Sequence, residues 1–466
     1  MKSKIFLTFV LFSGLLLSAQ QNNNKPNLIV IMTDDMGYAD VGFNGCKDIP
    51  TPNIDSIAYN GAHIVNGYVS FPVCGPSRAG FITGRYQDRF GFTTNPTIDP
   101  ANNIAGLPLD EKTIAEVLRT KGYKSAVVGK WHLGTHPNFH PLNRGFDYFY
   151  GFLSGGHNYF MNQLTIENLE NVKSKWAWYR TKLKENHKTL EFEDYKTDYL
   201  TDELSEAALR FIDKQAKNDQ AFFLFLAYNA PHTPMHATEK YLSRFPEIQD
   251  KKRKTYAAMV SAVDDGVGNV LRVLKDNGIE ENTLIVFLSD NGGARNNASS
   301  NTPLRGIKGD VYEGGFRVPF AMQWKGVIPA NTKYEESVSS LDIMASMVDI
   351  LDIKTNRKKP LDGVNIIPYL TGQKQGAPHD YLFWRKWEQN AMAVIHGEHK
   401  LLKSNKRSES EFYNLKLDVS ESKNTKGSNV VLEKQLQNAW DHWNKKNKDR
   451  IFPTLGEDEW WTKNEN

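Results

Sequence analysis

Disulfide bonds cannot be what holds this chain together. Its 466 residues include two cysteines, Cys46 and Cys74, enough for one bridge at most, so stability has to come from an ordinary buried core. An excess of one charge is missing too. The 57 Lys and Arg against 54 Asp and Glu leave a formal charge of +3, too little at this size to argue for a nucleic-acid partner, though local basic pockets for anions are compatible with it. Beyond the N-terminus no apolar run is long enough to span a bilayer, and no internal repeat is present. Hydrophobic residues make up 40% and charged ones 24%, which excludes global disorder and leaves material for a sizeable core. The length accommodates one large domain with a smaller one appended, or two domains.

The one long apolar run is N-terminal. Lys2 and Lys4 precede Ile5 to Leu17, and Ser18-Ala19 follows as a small-residue cleavage site. This is the layout of a secretory signal, assigned to residues 1–19. No cysteine follows that would carry a lipid, and the polar string Gln20 to Asn24 reads as a mature tail. The expectation is an exported protein, periplasmic or secreted, with no membrane span.

Four apolar runs have strand length and do not alternate: Leu28–Met32, Ala126–Val128, Phe222–Ala227 and Leu284–Leu288. Such runs suit strands buried on both faces, as in a parallel sheet covered by helices. Helical patterns lie between them, from Thr51-Pro52 to Gly61, Lys112 to Lys121, near Thr201 to Ile212, and Tyr256 to Asn277. The alternation predicts an α/β fold with a central, mostly parallel sheet flanked by helices over residues 25–367. Past Pro368 the elements are short: Tyr381–Trp387, Met392–Ile395, Lys400–Leu402 and Phe412–Leu415, then a helix over Val430–Lys445. Residues 368–466 therefore read as a smaller subdomain of antiparallel sheet plus helix. Asn162–Tyr195, rich in Lys, Trp and Glu, fits neither pattern and reads as an insertion.

Ligands of open α/β sheets gather at the carboxyl ends of the strands. The residues just past the four runs are the chemical ones: Asp34-Asp35, Lys130-Trp131-His132, Pro231-His232 and Asp290-Asn291. Asp34, Asp35, Asp290 and Asn291 offer only oxygen donors, a set that selects Ca²⁺ or Mg²⁺ over zinc or copper. Three carboxylates together also call for a cation between them. His132 and His232 are candidates for proton transfer, and Lys130 and Lys308 for positive charge. Cys74 lies in Phe71-Pro-Val-Cys-Gly-Pro-Ser-Arg-Ala-Gly-Phe-Ile-Thr-Gly-Arg-Tyr86. It is presented at the start of a short helix, with Pro76 in the first turn and the positive end of the helix dipole beside the thiol.

Cys74-x-Pro76-Ser77-Arg78 followed by Thr83-Gly84-Arg85 resembles the signature of the type I sulfatases, members of the alkaline phosphatase superfamily. Several fixed positions within a dozen residues make the motif specific. Asn27 to Asp35, Gly129 to Gly134, Ala230 to Pro234, Ser289 to Gly293 and Glu313 to Pro319 follow in that family's order, and Leu361-Asp362-Gly363 and Phe412 to Leu415 look like its later landmarks. The resemblance implies a sulfatase whose Cys74 is converted to formylglycine by a formylglycine-generating or anaerobic sulfatase-maturating enzyme. It implies a divalent cation, Ca²⁺ before Mg²⁺, on Asp34, Asp35, Asp290, Asn291 and residue 74. The cation and Arg78 would hold the attacking oxygen of residue 74, and Lys130 and Lys308 would hold the sulfuryl group. His232 with Lys308 would protonate the leaving oxygen, and His132 would take a proton from residue 74.

Two other readings stay open at this point: a phosphonate or phosphodiester hydrolase of the same superfamily, and a non-catalytic binder of sulfated glycan. A complete proton-transfer set speaks against the binder. Export with a modest positive charge points to a sulfated polysaccharide or its oligosaccharides as substrate. His157, Arg295 and Arg385 are the candidate sugar contacts, the last beside Trp384, Lys386 and Trp387, because cations and aromatic faces suit sulfated sugars.

Overall fold

In the computed structural model, residues 25–463 are described save 175, 406 and 408. The secretory signal read at residues 1–19 lies outside the described residues. Ten strands form one sheet, in the spatial order Thr332–Tyr334, Ala62–Ile64, Phe320–Gln323, Thr283–Ser289, Asn27–Thr33, Phe222–Ala227, Lys124–Lys130, Tyr148–Phe152, Lys184–Glu185 and Lys188–Thr189. The four runs read from the sequence are its four adjacent central strands, all parallel. Every residue of Asn27–Thr33, Phe222–Ala227 and Thr283–Ser289 is buried, as two covered faces require.

One layer of cover comes from the long helices Leu200–Lys217 and Lys251–Asp276 with Pro52–Tyr59. Phe211, Val263, Val267 and Ile57 pack there on Ile29, Ile31 and Leu226. On the other face Cys74–Thr83, Ile114–Arg119 and Asp342–Ile350 meet Leu28, Val30 and Phe225 through Phe81, Leu118 and Met347. A separate antiparallel sheet of Leu382–Lys386, Ala391–His396, His399–Lys403 and Glu411–Asn414 follows, backed by the helix Val430–Asn444. It shares the core of the main sheet, since Trp384 stacks on Phe316 at 4.1 Å and donates its indole N–H to Val69 O at 2.8 Å.

The sequence pattern did not announce the Tyr148–Phe152 edge or the antiparallel Phe320–Gln323 strand. Within 162–195, short 3-10 turns and two two-residue strands extend the sheet edge. Both cysteines are free. Among the described residues no helix is long and apolar enough to cross a membrane.

Candidate active site

Strand register assembles the site. Thr33 pairs with Ser289, and Met32 with Ala227, which also pairs with Gly129. Asp34, Asp290 and Lys130 therefore emerge side by side, and backbone N–H groups lock the ends together: Asp290 onto Thr33 O at 3.0 Å and Asp34 onto Ala230 O at 3.2 Å. Cys74 is the first residue of the helix Cys74–Thr83, all ten residues of which are buried. The helix is thus driven into the molecule N-terminus first, and its thiol joins the strand ends. Asn95 Oδ1 receives the Gly75 N–H at 2.9 Å and steadies that first turn.

Ligand atoms of Asp34, Asp35, Cys74 and Asp290 all lie within 4.8 Å of one another, all buried. Asn291 donates its amide to Asp35 Oδ1 at 2.7 Å. Around them stand the cations. Lys130 Nζ is 2.5 Å from Asp34 Oδ2, Arg78 Nε 2.8 Å from Asp290 Oδ2, and Lys308 Nζ 2.7 Å from Asp35 Oδ1 and 3.1 Å from Cys74 Sγ. Each carboxylate thus holds one cationic side chain, so mutual repulsion alone does not call for a metal. What fits one is the set of atoms left over. Asp34 Oδ1 and Asn291 Oδ1 are buried acceptors without a hydrogen-bond partner, a costly state unless they serve a ligand. Arg78 Nη2 and His132 Nδ1 are left in the same condition. Apart from Cys74 Sγ, the donors are oxygens, which suits a hard cation.

Electrostatics follow from burial and these pairs. Burial by itself would raise the Asp35 pKa, but Lys308 and His232 outweigh it and hold the carboxyl well below the usual range. Burial and the Asp34 charge raise Asp290 instead. Burial pushes the Cys74 thiol to about 12, against the opposing pull of Lys130 and Lys308. Lys308 stays firmly protonated, because Asp35 overcomes the desolvation of its ammonium. Burial, then Lys130 and Arg78, hold His132 neutral. Burial likewise takes His232 down to about 4. Its Nδ1 lies 2.6 Å from Thr233 O, which fixes a proton there and leaves Nε2 facing Asp35 Oδ2 at 3.7 Å.

Asp35 and His132 both sit at positive φ, 64° and 59°. Strain of about 1 kcal/mol or more in a non-glycine residue persists only where packing enforces it, and such positions cluster at functional sites.

The candidate sugar contacts fare differently. Arg295 is exposed, in a loop whose Asn297 amide holds Asp35 O at 3.0 Å and Pro231 O at 3.3 Å, so it stands at the rim. His157 is a correction. Its side chain is fully buried, with Nδ1 3.1 Å from Asn158 O and the ring 4.6 Å from Phe152, and burial lowers its pKa to about 4. It shapes the loop rather than meeting a sugar. Arg385 is a second correction. Its guanidinium is spent on Asp88 Oδ1 at 2.9 Å, Asn444 Oδ1 at 3.0 Å and Lys448 O at 2.5 Å, tying the C-terminal sheet to the main body.

Sequence reading passed over Gly155 and Gly156, which back the histidines. A Cβ on Gly155 would come within 2.6 Å of His132 Nε2, and one on Gly156 within 3.2 Å of His232 Cε1. Adjacent glycines were the available signal. Asn297 was missed as well, since a loop asparagine carries no such mark.

The sulfatase family model matches residues 26–353, and that of the N-sulphoglucosamine sulphohydrolase C-terminal region matches residues 308–446. The uncharacterized sulfatase YdeN of Escherichia coli is 33% identical over 436 residues, covering 82% of this chain and 72% of that protein. Human N-acetylgalactosamine-6-sulfatase is 33% identical over 389 residues, covering 80% and 71%. The crystal structure of Ps i-CgsB in complex with k-i-k-neocarrahexaose superposes with a TM-score of 0.85 at 39% identity, over 93% of this chain and 96% of that one. The chain belongs to the sulfatase family of the alkaline phosphatase superfamily and is a sulfuric ester hydrolase.

Proposed function

We propose that this chain is an exported sulfatase acting on a sulfated polysaccharide or its oligosaccharides, with Cys74 converted to formylglycine and Ca²⁺, in preference to Mg²⁺, as its cation. The observation that carries the reading is the buried knot of Asp34, Asp35, Cys74 and Asp290, ringed by Arg78, Lys130 and Lys308, with buried acceptors and donors left unpartnered. Asp34, Asp35, Asp290, Asn291 and residue 74 would hold the cation. A separate maturation enzyme, supplying the oxidant, would take two electrons from the Cys74 β-carbon, release its sulfur as sulfide and leave an aldehyde oxygen in its place. When present, the cation would polarise sulfate oxygens, and the hydrated aldehyde would offer one hydroxyl as nucleophile and a second whose deprotonation releases sulfate.

The remaining work falls to side chains. Arg78, Lys130 and Lys308 stabilise charge as it moves toward the leaving oxygen. Lys308, firmly protonated, supplies the proton to that oxygen, and His232, its Nδ1–H on Thr233 O and its unprotonated Nε2 toward the site, can relay it. His132, held neutral, is suited to accept the proton from residue 74. Carbohydrate as the substrate class is supported by the oligosaccharide bound to Ps i-CgsB and by the exposed Arg295 at the rim.

Matured protein should release sulfate from sulfated oligosaccharides and leave matched phosphate esters nearly untouched, measured by ion chromatography. Faster release of phosphate would favour the phosphonate or phosphodiester reading, and binding without release would favour the binder.

A further inference from the structure

The turn Ala177–Arg180, in the stretch with no legible pattern, stands beside His232. Tyr179 is half-buried, and a Cβ on Gly156 would meet its Cε1 at 3.0 Å and His232 Cε1 at 3.2 Å. A single glycine therefore separates the phenol ring from the imidazole next to the leaving oxygen. Burial, then the charge of Asp34, raise the Tyr179 pKa while Lys308 opposes them. Its phenol thus feels the same buried cluster.

The ring belongs to a larger aromatic surface. It stacks on Trp178 at 4.0 Å and 26°, and Trp176, 61% exposed, lies 6.1 Å away. The far end of the described chain buttresses that surface. Trp461 packs its edge on Trp176 at 5.6 Å and clusters with Trp178, Ala177, Val172 and Ile98. Asp458 Oδ1 pins this segment, accepting the Trp461 N–H at 3.1 Å and the Thr97 hydroxyl at 3.0 Å. A rigid aromatic face with a polar tip, held beside the proton donors, suits the apolar face of a sugar ring.

We propose that Tyr179 is a specificity-determining residue that packs against the sugar bearing the leaving oxygen. This rests on the sulfatase reading above. The test compares kcat/KM of the matured wild type, Tyr179→Phe and Tyr179→Ala on two substrates, a small aryl sulfate and a sulfated oligosaccharide that the wild type desulfates. Tyr179→Ala should lower the oligosaccharide-to-aryl ratio by about tenfold or more, chiefly through KM, while Tyr179→Phe, keeping the ring, should lower it by less than about threefold. An unchanged ratio, an equal loss on both substrates, or a Phe variant as impaired as the Ala variant would overturn the assignment. A wild type that frees sulfate from neither substrate would overturn the sulfatase reading instead, so the two failures are distinct.

Discussion

Two knots of charge are buried in this molecule, and they differ in what they leave unfinished. At the strand ends, Asp34, Asp290, Arg78 and Lys130 are wholly inaccessible, yet Asp34 Oδ1, Asn291 Oδ1, Arg78 Nη2 and His132 Nδ1 have no partner. Under the C-terminal sheet, Lys400, Glu313 and Glu421 are equally inaccessible. There, Lys400 Nζ takes Glu313 Oε1 at 2.9 Å and Glu421 Oε1 at 2.8 Å, Tyr68 donates to Glu313 Oε2 at 2.8 Å, and the Glu313 N–H goes to Glu421 Oε2 at 2.7 Å. Burial of charge is common to both. The rivet leaves one acceptor, Glu421 Oε1, without a hydrogen bond although the Lys400 ammonium stands beside it, whereas the strand ends leave four atoms on four residues, acceptors and donors both. That larger unspent capacity is what separates the site from the rivet.

Four outcomes would break or sharpen that contrast. Cys74→Ala should cut sulfate release by about a thousandfold or more while melting within a few degrees of wild type. Comparable residual turnover would remove Cys74 from the chemistry. At the rivet the effect should fall on stability. Lys400→Met leaves two carboxylates facing each other in the interior and should cost about 3–5 kcal/mol, read by denaturant unfolding. A neutral result would mean that Glu313 and Glu421 share a proton rather than needing the ammonium.

Chelation probes the open knot in turn. If its leftover oxygens serve a cation, stripping divalent ions should lower the melting temperature and calcium should restore it, with about 2.7 kcal/mol recovered at a hundred times Kd. No shift on chelation would contradict the cation assignment. The smallest effect concerns a third closed pair. His379 Nε2 is 2.9 Å from both Asp342 oxygens. Burial opposes its charge, but Asp342 wins and raises its pKa above 6.5. A histidine raised on folding stabilises fully below its unfolded value, and the contribution is lost as pH climbs through the folded one. His379→Gln should therefore destabilise more at pH near 5.5 than at pH near 8.5, and equal loss at both would show the pair to be uncharged.

Much of this was legible because it was local or repeated. Fully apolar runs marked the four central strands, and residues at their ends marked the site, since parallel register carries such ends to one edge. Tyr148–Phe152 was hidden because Gly151 interrupts it, and Phe320–Gln323 because four residues give no period. The insertion is held by side-chain ties such as Lys182 to Glu167 and Glu191, which leave no pattern in sequence. Arg385 and His157 had the right chemistry for a sugar, but a partner remote in the chain, Asp88, claims the Arg385 guanidinium, and burial against Phe152 encloses the His157 ring. Glu313 shows the converse. It opened one of the segments that follow in the family's order, and the fold spends it on the rivet.

The central claim concerns residue 74. Peptide mass spectrometry on active protein from its own host should find the peptide bearing Cys74 lighter by the thiol-to-aldehyde difference, with reactivity toward a carbonyl probe at that residue. An intact thiol at position 74 in protein that turns over sulfate esters would contradict the account.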